Sequence, residues 1–156
     1  VMRIFNAIGI TQLCCRTSDF FFNQLNDIFK FDVDAACSSE NKKCKKGFCH
    51  DLGVNGLKES WGGYSVFCNP PFSQKADWIK KAHDEVLAGS CKTCVMILPS
   101  NSMDSQAFHD FVFGKFHFEI LRGRIQFLNP DGTKSQGNNS GTVVIYFWKK
   151  PQVKAA

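Results

Sequence analysis

The period of the apolar positions changes along the chain, and each change predicts an element. In "DFFFNQLNDIF", Phe21, Leu25, Ile28 and Phe29 recur at helical spacing, so a first helix is predicted with Ser18 or Asp19 as its cap. In "KFDVDAAC" the period drops to two: Phe31 and Val33 alternate with Asp32 and Asp34, which predicts a short strand delivering Asp34, Ala35 and Ala36 into a tight turn. A polar, lysine-rich stretch to about Gly63 follows, where Gly47, Gly53, Gly56, Gly62 and Gly63 predict turns and at most short elements. "YSVFC" reads as a buried strand. The next helix is predicted from a Ser73 cap through Val86 and Leu87, with Ala76, Ile79, Ala82, His83 and Val86 on one face and Gly89 ending it.

"CKTCVMILP" is continuously apolar, as central parallel strands are. "DSQAFHDFVFG" predicts a shorter helix ended near Gly114, with His83 and His109 as packed histidines. "FHFEIL", "RIQFL" and "GTVVIYFW" predict strands around the polar loop "NPDGTKSQGNNSG". Strands and helices alternate first and strands cluster last. The predicted fold class is therefore α/β, with a mostly parallel sheet and an antiparallel C-terminal edge. At 156 residues, 44% hydrophobic and with 16 Phe, the chain suits one packed domain, with 1–16 and 150–156 peripheral to it and no separate target-recognition domain.

Charge adds a partner class. The net charge of +5 favours an anionic partner such as nucleic acid. Its cations gather in "KKCKK" (Lys42, Lys43, Lys45, Lys46) and "LRGR" (Arg122, Arg124), which can neutralise phosphates or simply face solvent. The eight cysteines fit neither a disulfide framework nor a zinc site, because Cys14-Cys15 are adjacent and Cys91-Lys-Thr-Cys94 lacks a second half. Reduced, mostly buried thiols in an intracellular protein are expected, with no metal. No apolar run reaches the ~20 residues of a membrane span, so no membrane partner is expected.

The segment "VFCNPPFSQ" carries the chemistry. Ligands of open α/β sheets bind beyond the carboxyl ends of the strands, where both "DAAC" and "NPPF" fall. Pro70 and Pro71 fix φ and lack N–H groups, so the carbonyls around them are held in place. Asn69 adds an uncharged side-chain acceptor. Two acceptors converging on one conjugated amine draw its nitrogen toward tetrahedral geometry and stabilise the positive charge that grows when it attacks a methyl donor. Phe72 supplies a ring for a planar base to lie against, worth about 1–3 kcal/mol.

With these residues in place, "NPPF" resembles the Asn/Asp-Pro-Pro-aromatic signature of amino-group methyltransferases. The ordered set "TSDFFFNQLNDIFKFDVDAACSSENKKC", "WGGYSVFCNPPFSQKADWIKKA", "VMILPSNS" and "LRGRIQF" is similar to the small phage-type DNA N6-adenine methyltransferases. The resemblance spans Thr17 to Trp148. It implies a single-domain Rossmann-like methyltransferase fold, S-adenosyl-L-methionine as cofactor and DNA as partner, with target recognition by short loops, a homodimer or a partner subunit. It assigns Asn69 and the Pro70 carbonyl to the target amine, with Pro71 and Phe72 completing the catalytic motif. It sets Asp34, Ala35 and Ala36 against the cofactor's methionine part, Thr17 near its carboxylate end, Glu40 and Asn41 as an "EN" pair, and Asp51 near its ribose or adenine. The usual glycine-rich cofactor loop is replaced here by "DAAC". The same motif chemistry also serves RNA adenine or a protein glutamine amide, and a non-catalytic binding member is a further alternative.

Overall fold

The computed structural model describes residues 19–122 and 141–149. Among these residues, one six-stranded sheet in the order β2-β1-β3-β4-β6-β5 organises the fold. Its strands are β1 (Val33–Cys37), β2 (Lys46–Cys49), β3 (Ser65–Cys68), β4 (Thr93–Pro99), β5 (His117–Ile120) and β6 (Thr142–Trp148). The helices are α1 (Asp19–Phe29), α2 (Lys75–Leu87) and α3 (Gln106–Phe111). Strands β2, β1, β3 and β4 run parallel, and β6 runs antiparallel to both β4 and β5. The expected α/β sheet with an antiparallel end is present, although the reversed strand is β6 and the outermost is β5. The stretch "RIQFL", expected as a strand, lies outside the described residues.

The side-chain alternation of β4 shows why the sheet needs cover on both faces. Val95 and Ile97 join Phe67, Val144 and Tyr146 beneath Phe21, Phe22 and Leu25 of α1. Cys94, Met96 and Leu98 join Val66, Val143 and Ile145 beneath Ile79, Ala82 and Val86 of α2 and Phe108 of α3. A strand buried on both sides has no polar face to alternate with, so β4 is continuously apolar in sequence.

Several local expectations are corrected. Asp34, Ala35 and Ala36 belong to β1 itself, and the turn follows at 38–41. The lysine-rich stretch contains β2, a strand of four residues paired in parallel with β1, too short for its period to stand out. Ser73 does not cap α2. The chain enters that helix through a 3-10 turn, Phe72–Gln74, in which the Gln74 N–H donates to the Pro71 carbonyl at 3.1 Å, leaving Ser73 inside the turn. The buried stripe of α2 includes Trp78 and not Ala76. Gly89 ends α2 in the left-handed region at φ 77°, as expected. His83 packs its ring 4.9 Å from Phe111, whereas His109 is exposed. The described cysteines are free and buried. Among the described residues, no helix is long and apolar enough to cross a membrane, and no cluster of His, Cys, Asp and Glu could hold a metal ion.

Candidate active site

The parallel strands β1, β2 and β3 all release the chain at one edge of the sheet, and a cavity of about 810 Å³ opens there. Its volume suits a small-molecule site, which runs to roughly 300–1,000 Å³. The end of β1 contributes Ala36 and Cys37, the turn after it Ser38 and Asn41, and the segment after β2 His50 and the 53–56 loop. The segment after β3 contributes Asn69, Pro70, Pro71, Phe72, Ser73 and Gln74. The two halves of the predicted site therefore face one space. Phe48 and Trp78 form the buried aromatic part of the wall, while Phe72 stands 38% exposed.

A close backbone approach shapes the floor. A Cβ on Gly56 would lie 2.0 Å from the Ala35 carbonyl oxygen and 2.8 Å from Cη2 of Trp78, so only glycine lets the 53–56 loop descend onto β1. The Gly56 carbonyl accepts the indole N–H of buried Trp61 at 2.9 Å, and Trp61 stacks on Trp78 with centroids 6.3 Å apart. Nε1 of Trp78 is buried without a hydrogen-bond partner.

The carboxylates expected at the cofactor hold loops together. Asp34 is 3% exposed and does not line the cavity. It accepts the Lys43 N–H at 3.0 Å and the Ala36 N–H at 3.4 Å, and burial raises its carboxyl above the ordinary value despite those bonds. Asp51 is exposed and turned to Ser39, whose backbone N–H it accepts at 2.9 Å and whose hydroxyl it also accepts. The Ser39 hydroxyl is the main cause holding the Asp51 carboxyl below its usual range. Asn41 lines the cavity and accepts the Ser38 N–H at 2.7 Å, so its side chain sets the shape of the 38–41 turn. Glu40 is exposed in that turn and does not line the cavity. Thr17 lies outside the described residues.

The basic cluster runs along the sheet edge, and none of its lysines lines the cavity. Lys43 pairs with Asp19 at 2.8 Å, Lys42 donates to the Lys45 carbonyl, and Lys46 reaches the Tyr64 hydroxyl with its ammonium 4.4 Å from that ring's centroid. Lys45 is exposed. Arg122 is also exposed, just beyond the carboxyl end of β5 on the far side of the sheet from β2, and Arg124 lies outside the described residues. Gly56 and Trp78 line the cavity without having been singled out as site residues from sequence. Gly56 is legible only as a turn glycine, because its contact with Trp78 joins segments 22 positions apart (78 − 56).

The family model for DNA N-6-adenine-methyltransferase (Dam) matches residues 13–155. The chain belongs to this family. The Dam-family chain is also 30% identical to the DNA N-6-adenine-methyltransferase of Escherichia phage T1, over 74% of its own length and 54% of that relative's. It thus spans about half of the curated relative it matches.

Proposed function

We propose that this Dam-family chain is a methyltransferase of Rossmann-like fold that uses S-adenosyl-L-methionine to methylate the N6 amino group of adenine in DNA. The observation that carries this reading is that Asn69, Pro70, Pro71 and Phe72 line the same cavity as the segments following β1 and β2. A motif built for an amine thus shares its space with walls suited to an adenosine.

The wall fits such a cofactor. Among the described residues it presents aromatic surface from Phe48 and Trp78, side-chain amides from Asn41 and Asn55, and no Asp, Glu, Lys or Arg side chain. Such a wall takes a neutral heteroaromatic and its hydroxyls without stranding a charge. Asp34 is buried in the same strand as Ala36 and Cys37. Its charge helps push the Cys37 and Cys68 thiols up, after burial, and the same field favours a cation at this end of the sheet. Ala36, Asn41 and the 53–56 loop would hold the cofactor, with Asp34, Ala35, Glu40 and Asp51 shaping the loops around it. Thr17 would meet its carboxylate end. When bound, S-adenosyl-L-methionine supplies a methyl group on a positively charged sulfur.

The chain's own residues do the rest. Asn69 Oδ1 and the Pro70 carbonyl accept the two hydrogens of the adenine amine, Pro71 keeps that carbonyl from turning, and Phe72 at the mouth covers one face of the base. A base reached in this way is flipped out of its duplex, and stacking on Phe72 offsets part of the few kcal/mol that flipping costs. Arg122 and Lys45, exposed, would meet phosphates first, and the partnered Lys42, Lys43 and Lys46 would add to the field. The testing experiment is calorimetry with S-adenosylhomocysteine, followed by transfer of labelled methyl groups to duplex DNA, single-stranded DNA, RNA and protein. Binding with label in DNA adenine is expected. Label in RNA or glutamine alone, or no binding, would overturn the reading.

A further inference from the structure

We propose that Cys37 and Cys49 are a reversible oxidation site, a dithiol at the cavity wall that closes to a cystine in the folded protein. They are the last residues of β1 and β2 and are Cα partners across the parallel ladder, beyond an irregularity that begins at Asp34. Their sulfurs are in contact at 2.8 Å. Neighbouring strands lie about 4.8 Å apart, inside the roughly 4.4–6.8 Å that a cystine spans between Cα atoms. Closing the bond therefore asks for a small movement of two side chains and leaves the sheet in place.

Position gives the pair its significance. Cys37, 1% exposed, lines the cavity, and Cys49, 3% exposed, sits behind it in sulfur contact, so a small oxidant meets the pair at Cys37. The chain continues from Cys37 into the 38–41 turn and from Cys49 into His50 and the 53–56 loop, so a bond between them ties two walls of one site together. Cys44, Cys68, Cys91 and Cys94 are buried as well, but none of them lines the cavity.

Burial, then the hydrogen bond with Cys49, pushes the Cys37 thiol above the ordinary value, so Cys37 keeps its proton at neutral pH. With a peroxide as oxidant, the sulfur of one of the pair attacks one oxygen, the O–O bond breaks, and a sulfenic acid and one water result. The second sulfur then attacks the first, the S–O bond breaks, and the hydroxyl leaves as a second water carrying the second thiol's proton. Two thiols lose two electrons in total and the peroxide becomes two waters. A thiol reductant reverses the change by exchange.

The test needs neither cofactor nor DNA, so its outcome is independent of the methyltransferase reading. Folded wild-type protein is treated with hydrogen peroxide, the remaining thiols are alkylated, and the peptides are mapped by mass spectrometry. The expected product is a Cys37–Cys49 linked peptide pair, lighter by two hydrogens, that dithiothreitol reverses and that C37S and C49S both lack. The oxidised wild type should also unfold at a higher urea concentration than the reduced form, since the bond closes a loop in the unfolded chain. Both residues recovered alkylated, or either one linked to another cysteine, would overturn the proposal. A crosslink that lowers the urea midpoint would overturn the claim that it closes without disturbing the sheet.

Discussion

Asp51 accepts both the backbone N–H and the hydroxyl of Ser39, 12 residues earlier in the chain. It thereby ties the turn after β1 to the end of β2, and its carboxylate faces that turn and not the cavity. If the contribution of Asp51 to binding runs through this tie, D51A should weaken S-adenosylhomocysteine by about three- to tenfold in calorimetry, with S39A weakening it in the same direction. The double variant S39A/D51A should bind no worse than D51A, because both changes release one turn. Additive losses would instead place Asp51 on the ligand.

Gly56 is a steric requirement of the floor. G56A puts a methyl group 2.0 Å from the Ala35 carbonyl oxygen, a backbone atom that cannot yield without moving β1. The loop must lift, at a cost of about 1–3 kcal/mol. Urea unfolding should show a lower midpoint with an unchanged slope, and adenosine-containing ligands should bind more weakly.

Glu85 gives a pH signature remote from the chemistry. Burial alone raises its carboxyl, but Lys81 at 2.5 Å, the Ser90 hydroxyl at 3.0 Å and the Trp61 N–H at 3.3 Å leave it below the ordinary value of 4.5. A carboxyl depressed in the folded state stabilises the fold above its unfolded pKa, and that stability is lost as pH falls through the lower folded value. E85Q should cost about 1–2 kcal/mol at pH 7. The wild type and E85Q should converge on acidification below about pH 4.5 in urea midpoints measured along a pH series.

Much of this organisation was legible in the sequence because it is local. The period-two run around Val33, the continuous apolar run of β4 and the stop at Gly89 each follow from a few neighbouring residues. The placement of "NPPF" at a strand end also required only an apolar strand followed by prolines. What stayed hidden depends on pairs distant along the chain. Asp34 and Asp51 carry the residue type of a ligand contact, and their hydrogen bonds to the Lys43 N–H and to Ser39 reach across 9 and 12 positions of the chain. The lysines of "KKCKK" look free in sequence, but Asp19 and Tyr64, which lie 24 and 18 positions from Lys43 and Lys46, engage two of them. Ser73 has the composition of a helix cap, and the 3-10 turn closed on Pro71 displaces it from that position.

Phe72, at the mouth, should act on capture of the base. F72A should lose about 1–3 kcal/mol of stacking, read as a higher KM for duplex DNA, with cofactor affinity unchanged. An adenine already unpaired in the substrate should suffer less, since no flipping cost has to be offset. Equal losses on paired and unpaired adenines would count against stacking.

In the proposed reaction Asn69 and the Pro70 carbonyl hold the amine that receives the methyl group. Nucleoside mass spectrometry of DNA incubated with labelled S-adenosyl-L-methionine and either wild type or N69A, with S-adenosylhomocysteine affinity measured on both, tests this at the reacting atom. Labelled N6-methyladenine is expected from the wild type and at least a hundredfold less from N69A, about 3 kcal/mol in the transition state, with affinity for the cofactor product retained. An equal yield of labelled N6-methyladenine from the two proteins would contradict it.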